Sequence, residues 1–337
     1  MKAIVLPRIA PIEEAPLIET ELPTPVPKDD EVLVKVSVCG LCHTDLDEIE
    51  GRLPPSMLPC VLGHQVVGTV IQCGPATAIH KIGTRVGVTW LYSSCGACPF
   101  CRTGRENLCD HARWTGKDAN GGYAEFMVVP EGYAYPIPSV FSDAQAAPLL
   151  CAGVIGYRAM RLADIRDGQT VGLFGFGASA HIVIQMLRHE FPTSDVFVFT
   201  RGDEHKELAR TLGAAWTGSP ADEPPVRLDR AIDFTPVGET VRQALAVLNK
   251  SGRVVVNAIR KVTAVPELIY DRHLWDEKEI KSVANVTRQD AREFLPLAAD
   301  IPLRPTVEEI PPERINRTLL DLKQGKIRAA AALRFQA

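Results

Sequence analysis

The sequence predicts a two-domain α/β protein: an irregular β-barrel followed by a doubly wound parallel sheet. Three observations lead there. At 337 residues the chain is longer than one hydrophobic core usually organises. Residues 1–150 are rich in β-branched runs broken by Pro and Gly, and they alternate at period two. After Cys151 short apolar strands alternate with helical stretches, the pattern of a parallel sheet with crossover helices.

Taken in order, Met1–Leu6 is a first strand stopped by Pro7, with no apolar core and cleavage site of a signal peptide. Glu31–Val38 alternates as a half-buried strand does, and Val66–Ile71 and Arg85–Trp90 resemble it. In the second region Thr170–Phe174 is a buried strand, followed by a glycine turn and a helix over His181–Arg188. Strands recur at Val196–Phe199, Arg230–Phe234 and Arg253–Val256, with helices at Glu204–Leu212 and Thr240–Leu248 between them. From Thr287 the pattern becomes irregular and proline-rich, and this tail is expected to rejoin the first domain. The predicted boundaries are 1–150 with 288–337 for one domain and 151–287 for the other.

A net charge of −4 provides no basic field for nucleic acid or anionic lipid. No uncharged apolar run approaches the roughly 20 residues that span a bilayer. Neither nucleic acid nor membrane is therefore an expected partner, and the cytoplasm is the expected compartment.

Four cysteines fall in one short loop, as Cys95-x2-Cys98-x2-Cys101-x7-Cys109. That spacing lets four thiolates converge on one tetrahedral ion, and a closed four-sulfur shell is a structural zinc site. Gly96, Pro99 and Gly104 supply the turns. Two disulfides would need an oxidising compartment, and the total of nine cysteines is odd. An iron–sulfur cluster competes, because short Cys-x2-Cys-x2-Cys runs also hold those.

The glycine turn Gly175-x-Gly177-x-x-Ala180 follows a strand and opens a helix, the setting of a dinucleotide site. Gly175 makes the tight turn, Gly177 lets backbone approach a pyrophosphate, and Ala180 permits close helix–strand packing. Gly175, Phe176, Gly177 and Ala178 are the candidate contacts, with the helix N-terminus aimed at the anion. At the end of the next strand an acid would accept the ribose hydroxyls of NAD. Here Thr200 and Arg201 stand in that region, which favours NADP over NAD, while Asp203 and Glu204 keep NAD open.

Gly40-Leu41-Cys42-His43-Thr44-Asp45, Gly63-His64-Gln65-x2-Gly68, the four-cysteine block, Ala147–Gly153 and the glycine turn occur together in this order. In that set the chain resembles the zinc-dependent alcohol dehydrogenases of the medium-chain dehydrogenase/reductase superfamily, over nearly its whole length. The resemblance implies a GroES-like β-barrel catalytic domain and a Rossmann cofactor domain. It also implies two zinc ions per chain, one structural and one catalytic, the latter held by Cys42, His64 and Cys151 with a fourth position open to substrate. Asp45 would orient His64 from behind. Thr44 would take the alcohol proton, and His43 would contact the cofactor pyrophosphate. A second cofactor arginine, common near the C-terminus of relatives, is shifted or missing in Arg328–Ala331.

Two positions depart from the family pattern. Gln65 replaces the usual glutamate after the zinc-binding histidine, which would make the metal more electrophilic. Asp47 replaces the histidine that often ends the proton relay, so the proton leaves through Asp47 or through water. Trp90, at the end of its predicted strand, would form an aromatic wall beside the substrate carbon. Leu53, Trp114, Tyr92 and Tyr123 are further lining candidates.

The implied reaction is hydride transfer between a primary aliphatic or benzylic alcohol, or its aldehyde, and NAD(P). The relatives' habit also implies a homo-oligomer, dimer or tetramer. A quinone-reductase-like enzyme on the same scaffold is one alternative, and a zinc-ribbon binding module is another. The module expects a basic face that this chain lacks.

Overall fold

Alternation along Glu31–Leu41 puts Val32, Val34 and Val38 wholly in the core, and this eleven-residue strand is the centre of the first unit. The computed structural model describes residues 1–301, 303, 305–327 and 330–335, so Arg328 lies outside the described residues. Two compact units emerge from the packing. One comprises Met1–Cys151, Asn285–Ala299 and Arg304–Ala337; the other comprises Ala152–Ala284 and Asp300–Leu303.

In the first unit a seven-stranded sheet runs in the order Ala134–Pro136, Arg85–Val88, Gln65–Cys73, Glu31–Leu41, Ala330–Leu333, Val307–Ile310. The seventh strand, Phe126–Pro130, also pairs with Glu31–Leu41. A smaller three-stranded sheet joins Ile18–Glu21, Lys2–Leu6 and Cys60–Val61. Ile4, Leu6, Val34, Val66, Val88 and Tyr123 fill the space inside. This is the GroES-like barrel. The register Gly40↔Gln65 is what matters for function, because it sets the chain just before Cys42 against the chain just after His64.

In the second unit six parallel strands run in the order Trp216–Gly218, Asp195–Phe199, Thr170–Phe174, Leu228–Asp233, Leu248–Val256, Glu279–Ser282. Sequence order reverses between Thr170–Phe174 and Leu228–Asp233. Such a switch point opens a crevice at the carboxyl ends of the strands, where ligands bind in Rossmann sheets. Phe174 and Phe199 stack face to face with centroids 4.1 Å apart and tie the adjacent strands Thr170–Phe174 and Asp195–Phe199 together.

Four sequence expectations need correction. The strand expected to end at Trp90 stops at Val88, and Trp90 lies in the bend before Leu91–Ser93. The strand expected at Val196–Phe199 begins one residue earlier, at Asp195, which pairs with Thr170. The helix expected over Thr240–Leu248 is Glu239–Ala246, because Leu248 turns inward to open the next strand. The tail is not irregular: it carries the helices Arg288–Asp300 and Ile315–Lys323. Pro296 lies inside the first of these and hid it, since proline ordinarily marks a helix boundary.

Candidate active site and metal centres

Cys42 sits at the N-cap of the helix His43–Ile49 and is held by reciprocal bonds. Its N–H donates to the Asp45 carboxylate at 2.7 Å, and Thr44 N–H donates to its sulfur at 3.3 Å. His64 precedes the strand Gln65–Cys73 and follows Gly63, whose φ is +94°. A Cβ at Gly63 would meet the Tyr123 ring at 2.5 Å, so only glycine admits this approach. Cys151 lies in a π-helical turn, Leu149–Gly153, directly after Pro148. Proline has no N–H to continue the α ladder, and a widened turn at this point is a common functional device.

These three segments converge. One ligand atom each of Cys42, His64 and Cys151 lies within 4.8 Å of the others. Cys42 Sγ is 3.3 Å from His64 Nε2, close to the roughly 3.6 Å separating sulfur and nitrogen on a tetrahedral zinc. The electrostatics favour a cation. A hydrogen bond from Cys151 holds the Cys42 thiol well below the ordinary range, and the same bond pushes Cys151 well up, so the pair shares one proton. Burial opposes a charge on His64, yet Cys42 and Asp45 raise its basicity well above normal. A dication is what this set of donors would hold, with no fourth protein ligand in the set.

Around them lie buried polar atoms without hydrogen-bond partners: His64 Nδ1, Asp45 Oδ1, Gln65 Nε2 and Glu48 Oε2. Asp45 Oδ1 is 3.5 Å from His64 Nδ1, longer than a formed hydrogen bond. Glu48 was not singled out by the sequence, although it follows Asp45 at helical spacing. Its carboxyl group is fully buried, and burial pushes its acidity far toward the protonated form. Asp47 is buried and ion-paired with Arg52, which also binds Glu50.

The other sequence candidates divide. Trp90 is half-buried, its ring centroid 6.1 Å from that of His64 and 5.0 Å from that of Trp114. Leu53 is half-buried and His43 exposed. Tyr92 is drawn elsewhere: its hydroxyl donates to Glu31 and the Arg113 guanidinium lies over its ring. Tyr123 is wholly buried against Gly63.

The four-cysteine loop forms a second, separate donor set. Cys95, Cys98, Cys101 and Cys109 all lie within 4.8 Å of one another. Cys95 and Cys101 sulfurs are 3.8 Å apart, the edge of a tetrahedron with Zn–S bonds of about 2.3 Å. All nine cysteines are unbridged, so the disulfide reading is set aside. Backbone N–H groups of Cys98, Cys101 and His111 donate to sulfurs of this set. Those of Ala97 and Cys98 bring the Cys95 thiol down to about 6.

In the second unit Gly175 makes its turn at φ +83°, and Gly177 caps the helix Ala178–Glu190. A Cβ on Gly177 would meet nothing within 4 Å, leaving room for a ligand, whereas Phe176 is buried. Thr200 follows the end of its strand and is buried. Arg201 beside it is exposed, and Asp203 is paired with Lys206.

Residues 28–139 match the alcohol dehydrogenase GroES-like domain. The chain is 44% identical to the probable alcohol dehydrogenase AdhA of Mycobacterium tuberculosis, over 99% of this chain and 97% of that one. The chain belongs to the zinc-dependent alcohol dehydrogenases of the medium-chain superfamily. Solved structures agree with this dehydrogenase fold. The crystal structure of AibC superposes with a TM-score of 0.92 at 27% identity, covering 100% of this chain and 96% of that one. The cinnamyl alcohol dehydrogenase SbCAD4 of Sorghum bicolor superposes at 0.87 and 25% identity, over 99% and 97%. Within the dehydrogenase, the matched domain contains Cys42, His64 and the four-cysteine loop, and Cys151 follows it.

Proposed function

We propose that this alcohol dehydrogenase oxidises a primary aliphatic or benzylic alcohol, or reduces the aldehyde, with Cys42, His64 and Cys151 holding its catalytic zinc. The convergence of two thiols and one imidazole, with no fourth protein donor in the set, carries the reading. Zinc bound there would supply Lewis acidity to the substrate oxygen, and NAD(P) would accept or give the hydride.

The chain's own residues do the rest. Thr44, in the first turn after Cys42, offers a hydroxyl to the alcohol proton. From there the proton leaves through Asp47, whose Arg52 partner holds a carboxylate on the route, or through water. Asp45 steadies His64 from its Nδ1 side. Trp90, beside His64, limits the bulk of the group on the reacting carbon, with Trp114 tilted against it and Leu53 as a further wall. The cinnamyl alcohol dehydrogenase likeness supports admitting an aromatic alcohol.

The four-cysteine loop holds a second, structural zinc. Gly175, Gly177 and Ala178 receive the cofactor pyrophosphate at the helix N-terminus. Arg201 receives the 2′-phosphate of NADP: no acid stands at Thr200, and Asp203 is engaged by Lys206. The proposed assembly is a homo-oligomer through the cofactor unit. Its sheet ends in the strand Glu279–Ser282, exposed along its whole length, with Ile269, Tyr270, Trp275 and Ile280 exposed in the same region. Nine unbridged thiols suit a reducing compartment, the cytoplasm.

The test is a nicotinamide absorbance assay over alcohols and aldehydes with both cofactors. The proposal expects primary substrates to lead and kcat/KM to be higher with NADP than with NAD. A strong NAD preference would remove Arg201 from the cofactor role.

A further inference from the structure

An indole carries one hydrogen-bond donor, and inside a protein that donor needs an acceptor. Trp90 finds it in Glu48, donating from Nε1 to Oε1 at 3.2 Å. Glu48 comes from the helix His43–Ile49, one turn after Asp45 and so on the same side of the helix. Its carboxyl group is 0% exposed, and its second oxygen has no hydrogen-bond partner. Among the described residues no lysine or arginine pairs with it. A buried acid with no lysine or arginine beside it is costly to keep, and an apolar side chain would fill the same space better. What the acid adds is the hold on Trp90. That ring lies 6.1 Å from the His64 imidazole and 5.0 Å from the Trp114 ring.

We propose that Glu48 is a positioning residue that fixes the Trp90 indole beside His64 and so sets the size of group the reacting carbon can carry. The inference rests on reading Trp90 as the substrate wall. Without an acceptor the indole must turn to another rotamer to satisfy its donor, and the wall moves with it. Bulky alcohols then gain relative to small ones.

The full-length, zinc-loaded enzyme is compared with Glu48→Met, which keeps the volume and loses the acceptor, and with Glu48→Gln, which keeps an acceptor oxygen. Two readouts are used: the indole N–H resonance of Trp90, assigned by its loss in Trp90→Phe, and the kcat/KM ratio of an unbranched to a branched alcohol. The expected result for Glu48→Met is an upfield shift of that resonance and a fall of about tenfold in the ratio, the worth of one such bond. Glu48→Gln should restore both to near the parent values. In the Trp90→Phe background Glu48→Met should change the ratio no further. An unmoved indole resonance in Glu48→Met, or an undiminished effect in the Trp90→Phe background, overturns the proposal. If Trp90→Phe leaves the ratio at its parent value while the resonance still depends on Glu48, the wall reading fails. The size-setting role fails with it. Should Glu48→Met not fold, Glu48→Leu takes its place with the same readouts.

Discussion

The two cysteine centres of this chain differ in nearly every physical respect. The set Cys95, Cys98, Cys101 and Cys109 lies within one loop, and Cys95 is exposed. Each of its members is a thiol, and backbone N–H groups already donate to its sulfurs. The set Cys42, His64 and Cys151 is drawn from a helix cap, a strand entry and a π turn. It is three-membered and surrounded by buried polar atoms without partners. A closed, internally satisfied shell has nothing left for a substrate. An open shell ringed by unsatisfied groups is where a ligand can still gain from binding. On the proposed reading zinc in these two shells does two different jobs, and the partners of the polar atoms around the sulfurs tell the shells apart.

The sharpest way to break this contrast is to remove one sulfur from each centre. Cys151→Ser should lower kcat by about a thousandfold or more, since Lewis-acid stabilisation is worth several kcal/mol, while the melting temperature stays near the parent value. Steady-state kinetics with parallel thermal melts checks both halves. A Cys151→Ser enzyme with parent turnover would remove the buried centre from the chemistry.

Cys98→Ser should behave in the opposite way. It opens the exposed shell, and losing a metal staple worth about 2–3 kcal/mol lowers the melting temperature by roughly 5–10 °C in a chain of this class. Residual kcat at low temperature should stay within a few-fold of parent. Calorimetry reads the first, an assay at 15 °C the second.

How much of this could be read from the sequence follows the same divide. The exposed centre was legible from spacing alone, because all its ligands sit in one loop. His64 and Cys151 have no local signature, and only resemblance to a family joined them to Cys42. The parallel sheet was legible because short apolar runs such as Thr170–Phe174 are buried on both faces. Glu48 was not legible: the helix His43–Ile49 carries acids at 45, 47 and 48, and sequence cannot say that all three turn inward. Nor was the bend at Trp90, which looked like the end of a strand until tertiary pairing stopped that strand at Val88.

Acid provides a subtler probe of the exposed centre. In zinc-depleted protein the Cys95 thiol is held at about 6 by backbone N–H groups of Ala97 and Cys98, against about 8.5 in an unfolded chain. The folded value is the lower one. Its thiolate is therefore favoured by folding above the unfolded value, and that advantage is lost as pH falls through about 6. Alkylation of Cys95 should accordingly be half-maximal near pH 6 in the folded, zinc-depleted chain and well above pH 8 after denaturation. A half-point near 8.5 in both states would remove the backbone donors from the account.

The smallest effect concerns the buried centre alone. Gln65→Glu returns a carboxylate to the residue after His64 and should raise the basic limb of the pH–rate profile, by about one unit or less. The exposed centre should not respond. A basic limb that stays in place would show that the charge at position 65 does not reach the metal.

The central claim, two zinc centres of which only the buried one does chemistry, is tested most directly by counting metal. Atomic emission of the purified parent, Cys98→Ser and Cys151→Ser proteins should give two, one and one zinc per chain, with turnover surviving in the second and lost in the third. One zinc in the parent, or two in an inactive Cys151→Ser protein, would contradict it.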